Sequence, residues 1–233
     1  MSVFASLVER LADLLDPLFG ATAAAAAIVL FTALVRLLVH PLSRAAARGQ
    51  KARTALQPRI AELRRKHAEN PGKLQRAVLD LHAEEKVSPL SGLLPSLCQI
   101  PAFFLLYHLF SSSSIGGEDN GLLGHQLFAA PLGDRWADAL AGGGVFGAAG
   151  LVYLALFAVV AVVASFNFVR AKRVPLPGAG GGEELPGVGT IAKVMPFLSF
   201  FTLVTVAVVP LAAALYVITS TTWSALERAV LYR

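Results

Sequence analysis

Apolar residues run through this chain in long blocks, with the polar residues gathered between them. Five blocks are long enough for helices across a bilayer, whose hydrocarbon core takes roughly 20 residues of helix. They cover residues 18–42, 89–110, 145–169, 190–208 and 209–231. The first two each follow a capping residue and a proline, Asp16-Pro17 and Ser88-Pro89. Proline suits a helix start because its missing N–H is one that the first turn leaves unsatisfied anyway. The last two blocks form one stretch of 42 residues, Thr190 to Leu231, about 63 Å as straight helix at 1.5 Å per residue. That is twice a bilayer core, so the stretch must fold back, and Pro210 is the expected break. The fold class predicted is an all-α membrane protein with five transmembrane helices.

The segments between the blocks carry weaker periodicities. In residues 1–17, Leu7, Leu11, Leu14 and Leu15 recur at helical spacing, and Leu18 continues the series. This predicts an external amphipathic helix on the bilayer surface. Glu9, Asp13 and Asp16 against Arg10 give the wrong charge for a signal-peptide n-region. Residues 43–88 carry two apolar stripes, Leu56, Ile60 and Leu63, then Leu74, Ala77, Val78 and Leu81, separated by Asn70-Pro71-Gly72. A helical hairpin is expected, with arms near Pro58–Glu69 and Pro71–Glu85. Residues 111–144 form an external loop that begins with a polar, flexible connector, Ser111–Asn120. Residues 170–189 form a flexible cytoplasmic loop, with three prolines and six glycines between Val174 and Gly189.

Composition fits this picture. Of 233 residues, 55% are hydrophobic and 15% charged, against about 25% charged in soluble domains, too few to solvate a globule's surface. The placement of charge orients the chain. Residues 41–89 hold 11 of the 20 Lys and Arg. Alternating sides across five spans puts 17 basic residues on the hairpin side, and Arg10 and Arg135 with seven acids on the other. Basic loops stay cytoplasmic, so the N-terminus is expected outside and the C-terminus inside.

Candidate chemistry is sparse. No carboxylate pair lies within a span, and HExxH, GxSxG and P-loop patterns are missing, so an enzyme is not expected. The five histidines are scattered and Cys98 is the single cysteine, so no metal, cofactor or disulfide framework is expected. Arg36 is the informative residue, because an arginine inside a span costs about 2.5–3.5 kcal/mol at mid-bilayer and so points to function. It lies roughly one turn from the span's end, so snorkelling to the headgroups is the competing reading. Thr32, Arg36 and His40 share one helix face, as do Tyr216, Ser220, Trp223 and Glu227 on the last span. Gln99 and Asn167 add amides on spans two and three. Such groups often only join helices; beside an arginine they suit a hydrated cavity. A small multi-span transporter or channel would use the same cavity. The basic stretch lacks aromatics for base stacking, so no specific nucleic-acid binding is expected.

Several segments together resemble the YidC membrane-protein insertases. They are Leu34-Val35-Arg36-Leu37-Leu38-Val39-His40-Pro41-Leu42, Ala55-Leu56-Gln57-Pro58-Arg59-Ile60, Pro89-Leu90-Ser91-Gly92, Leu97-Cys98-Gln99-Ile100-Pro101 with Tyr107-His108, and Ala214-Leu215-Tyr216-Val217-Ile218-Thr219-Ser220-Thr221-Thr222-Trp223. The likeness runs in order from about Ala21 to Leu231. It implies a multi-pass protein of the bacterial cell membrane that passes nascent membrane proteins into lipid from a hydrophilic groove, without nucleotide hydrolysis. The groove is implied to open to the cytoplasm and to lipid but not to the outside. Its expected lining is Arg36, Thr32, Gln99, Asn167, Tyr216, Ser220 and Trp223. The cytoplasmic hairpin is expected to meet substrate through Arg59, Arg64, Arg65, Lys66, Lys73 and Arg76. Membrane lipid is an implied partner, and the ribosome and the Sec translocon are further candidates. Read as ending at Arg233, the chain lacks the long basic tail with which some members hold ribosomes, so tail-mediated docking is not expected.

Overall fold

The computed structural model describes residues 2–87, 94–115, 117–173 and 194–231. The expected start of span two at Ser88-Pro89 and the loop Val174–Gly189 lie outside them. The described residues are almost all helical. Helix α1 (Ser2–Phe19) leads through a 3₁₀ turn (Gly20–Thr22) into α2 (Ala23–Lys66), and α3 (Pro71–Glu84) folds back along the end of α2. Helix α4 (Leu94–Ser111) precedes a loop with two minimal antiparallel hairpins, β1 (Ser114–Ile115) with β2 (Glu118–Asp119) and β3 (Gln126–Leu127) with β4 (Ala130–Pro131). Then follow α5 (Trp136–Gly143), α6 (Ala148–Arg173), a 3₁₀ segment (Met195–Phe200) running into α7 (Phe201–Val208), and α8 (Leu211–Leu231). Two helical stretches, Val3–Lys66 and Ala148–Lys172, contain windows long and apolar enough to cross a membrane; Pro196–Val208 is a shorter apolar one.

The junction of α1 and α2 departs from expectation. Pro17 lies inside α1 rather than opening the first span, and Asp16 caps nothing there. The turn comes three residues later at Gly20, whose φ of +51° is the left-handed region that glycine enters without steric cost. Val8 and Ala12 of α1 are buried in the same cluster as Ala24, Ala25, Ala27 and Ile28 of α2; alanines let two backbones approach closely.

Helix α2 also runs further than expected. It passes through Leu42 without interruption and continues to Lys66, with Pro41 and Pro58 inside it. A proline within a helix costs about 3 kcal/mol. Here it is outweighed by the strong helix formers that fill 43–66, chiefly Ala, Arg, Leu and Lys. The first hairpin arm is thus the lower part of one 44-residue helix. Asn70 caps α3 by accepting the Lys73 backbone N–H at 3.0 Å, with Pro71 at the first helical position. Leu56, Ile60 and Leu81 are buried between the two arms, flanked by Leu63, Val78 and Val87.

Helix α8 lies at the centre. Leu211 through Ile218 are all buried, and α2, α4, α6 and α7 pack around it. Its start is tied to the loop, with Leu211 N–H donating to Asp134 O (2.8 Å) and Ala212 N–H to Leu132 O (2.9 Å). The Tyr153 hydroxyl near the start of α6 also donates to Asp134 O, at 2.7 Å. Asn120, which is buried, donates from Nδ2 to Leu109 O (2.8 Å) and Ser112 O (2.9 Å) at the end of α4. The segment expected to be a flexible connector is therefore pinned by hydrogen bonds. The same contacts give directions: α6 and α8 start at this loop end, and α4 and α7 finish there. The chain breaks at Val209 and Pro210, where Val209 is extended and proline has no N–H to continue a ladder.

Candidate functional site: a polar seam between the first and last long helices

Two polar bridges join α2 to α8. Arg36 Nη2 donates to Ser220 Oγ, and His40 Nδ1 lies 2.6 Å from Glu227 Oε1. Moving along the chain from Arg36 to His40 moves the partner from Ser220 to Glu227, so the two helices run in the same direction. Counted at 1.5 Å per residue from Leu211, Ser220 lies about 13 Å and Glu227 about 24 Å from the loop end. Ser220, Trp223 and Glu227 are spaced three and four apart and share one face of α8. Trp223 thus sits between the two bridges.

The arginine side chain is directed at a neighbouring helix. Ser220 is buried at 4% exposure, and a hydrogen bond to a charged donor is worth about 1.5–3 kcal/mol. Below this level lie buried polar atoms with no hydrogen-bond partner among the described residues: Trp223 Nε1 on the face of α8 that carries Ser220, Thr222 Oγ1 about 200° round α8 from Ser220, and Asn167 Oδ1 on α6. Tyr153 and Leu211 share the carbonyl of Asp134 and so mark one level. Measured from them, Asn167 on α6 and Trp223 on α8 lie about 21 and 18 Å down their helices. An unpaired buried polar group costs about 1–3 kcal/mol; of the three, Trp223 Nε1 is on the side of α8 that meets α2, between the two bridges, where water or a visiting polar group would satisfy it.

Of the remaining expected lining residues, Tyr216 stays with the Arg36–Ser220 pair and Thr32 turns away from it. Thr32 is fully buried, and its hydroxyl bonds to Ile28 O of its own helix at 2.7 Å. Tyr216 is buried beside the pair, its side chain hydrogen-bonded with Ser220 and close to Arg36, with its ring against Phe103 and Phe110 of α4. The side chain of Gln99 lies outside the described residues. On the hairpin, Arg59, Arg64, Arg65, Lys66, Lys73 and Arg76 are all exposed, and Arg59 pairs with Glu85. Among the described residues no group of three His, Cys, Asp or Glu side chains is arranged to hold a metal ion.

The family model described as 60Kd inner membrane protein matches residues 14–233. The chain belongs to this family. Relatives called membrane protein insertase YidC include one from Clostridium perfringens, 43% identical over 84 residues, which are 36% of this chain and 35% of that protein. One from Chlorobium limicola is 40% identical over 86 residues, 37% of this chain and 15% of that protein. Another from Magnetococcus marinus is 43% identical over 81 residues, 35% of this chain and 15% of that protein. The matched region thus spans about a third or less of these relatives.

In this member of the 60Kd inner membrane protein family, the sequence marked Arg36 but not the pair below it. His40 and Glu227 are 187 positions apart, and only the parallel run of α2 and α8 brings them together. Their shared helix faces with Arg36 and Ser220 were the available signal. Asn120 was missed because a buried asparagine and a solvated loop asparagine look alike in a chain.

Proposed function

We propose that this protein is a membrane-protein insertase of the bacterial cell membrane, in which Arg36 serves a hydrated groove open to the cytoplasm and to lipid. In this reading the chain crosses the bilayer five times, with the N-terminus outside and the C-terminus inside. The observation that carries it is the Arg36–Ser220 contact, with the unpartnered Trp223 Nε1 between it and the His40–Glu227 bridge. The contact with α8 favours the groove over snorkelling. The loop-end hydrogen bonds of Asn120, Asp134 and Tyr153 support closure to the outside, which disfavours the transporter or channel reading.

The physics follows from what an inserting chain must do. It carries a polar, often acidic, tail across hydrocarbon, and desolvating those charges is the barrier. A wet seam part-way through the bilayer shortens the apolar path. Arg36 attracts a substrate carboxylate, and the attraction grows as the surroundings become less polar than water. The substrate's apolar segment then leaves sideways into lipid, driven by about 25 cal/mol per Å² of apolar area buried. Nothing in this sequence of events requires nucleotide hydrolysis. The exposed basic hairpin is the first contact for nascent chains and is held near anionic lipid; the ribosome and the Sec translocon are candidate partners at that face. The test is depletion of the protein followed by an insertion assay on a small two-span membrane protein. Loss of insertion is expected. Undiminished insertion, or solute flux through vesicles containing the purified protein, overturns the reading.

A further inference from the structure

The Arg36 level has a use in the proposed mechanism; the level below it does not. Glu227 is a carboxylate well inside the seam, with 12% of its side chain exposed against 33% for His40. One oxygen, Oε1, is held by His40 Nδ1 at 2.6 Å. The other oxygen has no hydrogen-bond partner among the described residues and is not sealed from solvent. Trp223 lies one turn above on the same face, and a tryptophan ring attracts cations. Arg228 is exposed and about 100° further round the helix. Arg36 stands deeper, about 10 Å along α8 when measured by its Ser220 partner, and its charge attracts that of Glu227 at longer range. The direct partner of the carboxylate is His40.

We propose that Glu227, oriented by His40, is a docking subsite for the basic flank of a substrate, a lysine or arginine that remains on the cytoplasmic side. This rests on the insertase reading and deepens it. Two opposite charges in series give the seam a polarity. Arg36 takes an acidic residue of the tail that crosses, and Glu227 takes the basic residue that stays. Chains obeying the preference for basic cytoplasmic loops fit that order, and reversed chains meet like charges at both levels. The imidazole fixes the carboxylate and leaves its second oxygen for a visiting ammonium or guanidinium.

The test uses the full-length protein in vesicles of phosphatidylcholine alone, so that anionic lipid cannot sort the substrates. Two single-span substrates share an acidic tail and differ in the flank, Lys-Lys-Arg or Gln-Gln-Gln. Protease protection of the tail reports insertion. The basic-flank substrate should insert about threefold to fivefold better, the range of a partly screened ion pair. Glu227→Gln should abolish that preference, bringing the basic-flank substrate down to the level of the neutral-flank one, and Glu227→Asp should retain part of it. A carbodiimide should couple the substrate's flanking lysine to Glu227. Equal loss with both substrates in Glu227→Gln makes the pair a mere strap between helices and overturns the subsite. So does an absence of flank preference in the unaltered protein while insertion proceeds. If that protein inserts neither substrate above protein-free vesicles, the insertase reading fails and the subsite with it.

Discussion

Replacing Arg36 with alanine separates the work of its charge from its role in packing. The substitution removes the donor to Ser220 Oγ, a loss of about 1.5–3 kcal/mol taken alone. It also relieves the cost of holding a cation half-buried, so the two effects partly cancel and the bundle should remain folded. The substrate feels a different balance. A carboxylate 4 Å from the guanidinium gains about 4 kcal/mol at an effective dielectric constant of 20. Both groups give up water on contact, and about half of that gain should survive. About 2 kcal/mol is roughly a thirtyfold change in rate. Arg36→Ala should therefore slow insertion of an acidic-tailed substrate roughly thirtyfold and leave a neutral-tailed one within about twofold. Arg36→Lys keeps the charge but loses the planar fork, and should recover most of the rate. The assay is protease protection of the two substrates in reconstituted vesicles at matched protein levels. Equal losses for both tails, or normal insertion of the acidic one, would refute a role for the charge.

Other consequences concern the scaffold. Asn120→Ala removes two hydrogen bonds and strands the carbonyls of Leu109 and Ser112; it should cost about 2 kcal/mol, read as a lower thermal midpoint in detergent. A Cβ on Gly150 would collide with the carbonyl oxygens of Gly144 and Val145. Gly150→Ala should therefore lose about 1–3 kcal/mol by overpacking in the same measurement, whereas Gly142→Ala, in open space within α5, should be neutral or slightly stabilising. In the hairpin, Leu81→Ala empties a buried position and should cost about 2–5 kcal/mol locally. Removing the exposed partner of Arg59 with Glu85→Ala should cost less than about 1 kcal/mol; limited proteolysis of the hairpin distinguishes the two.

What the sequence revealed here follows from which forces are local. Apolar blocks, the break at Pro210 and the two hairpin stripes depend on residues a few positions apart, so they can be read along the chain. Arg36 stood out for the same reason, as a charge inside an apolar block. The junction at Asp16-Pro17 misled because a cap-and-proline pair looks the same whether it starts a helix or lies within one; Gly20 made the turn instead. The length of α2 was hidden by Pro41 and Pro58, each a local stop signal overridden by its neighbours. Partners were the least legible. Ser220 for Arg36, Glu227 for His40 and the two carbonyls held by Asn120 depend on how distant helices are set side by side. Thr32 carried the right spacing for the polar face, yet its hydroxyl is satisfied within its own helix.

The most direct measurement asks whether water reaches the level of Arg36 from one side only. Ser220→Cys in a Cys98→Ser background places a near-isosteric thiol beside the guanidinium, and a membrane-impermeant thiol reagent can be added to either face of sealed vesicles. A hydrated groove open to the cytoplasm requires labelling from the inner face, none from the outer face, and full labelling after denaturation. A thiol that reacts from neither side until the protein is denatured would mean a dry seam and contradict the groove; one that reacts from the outer face would mean a channel.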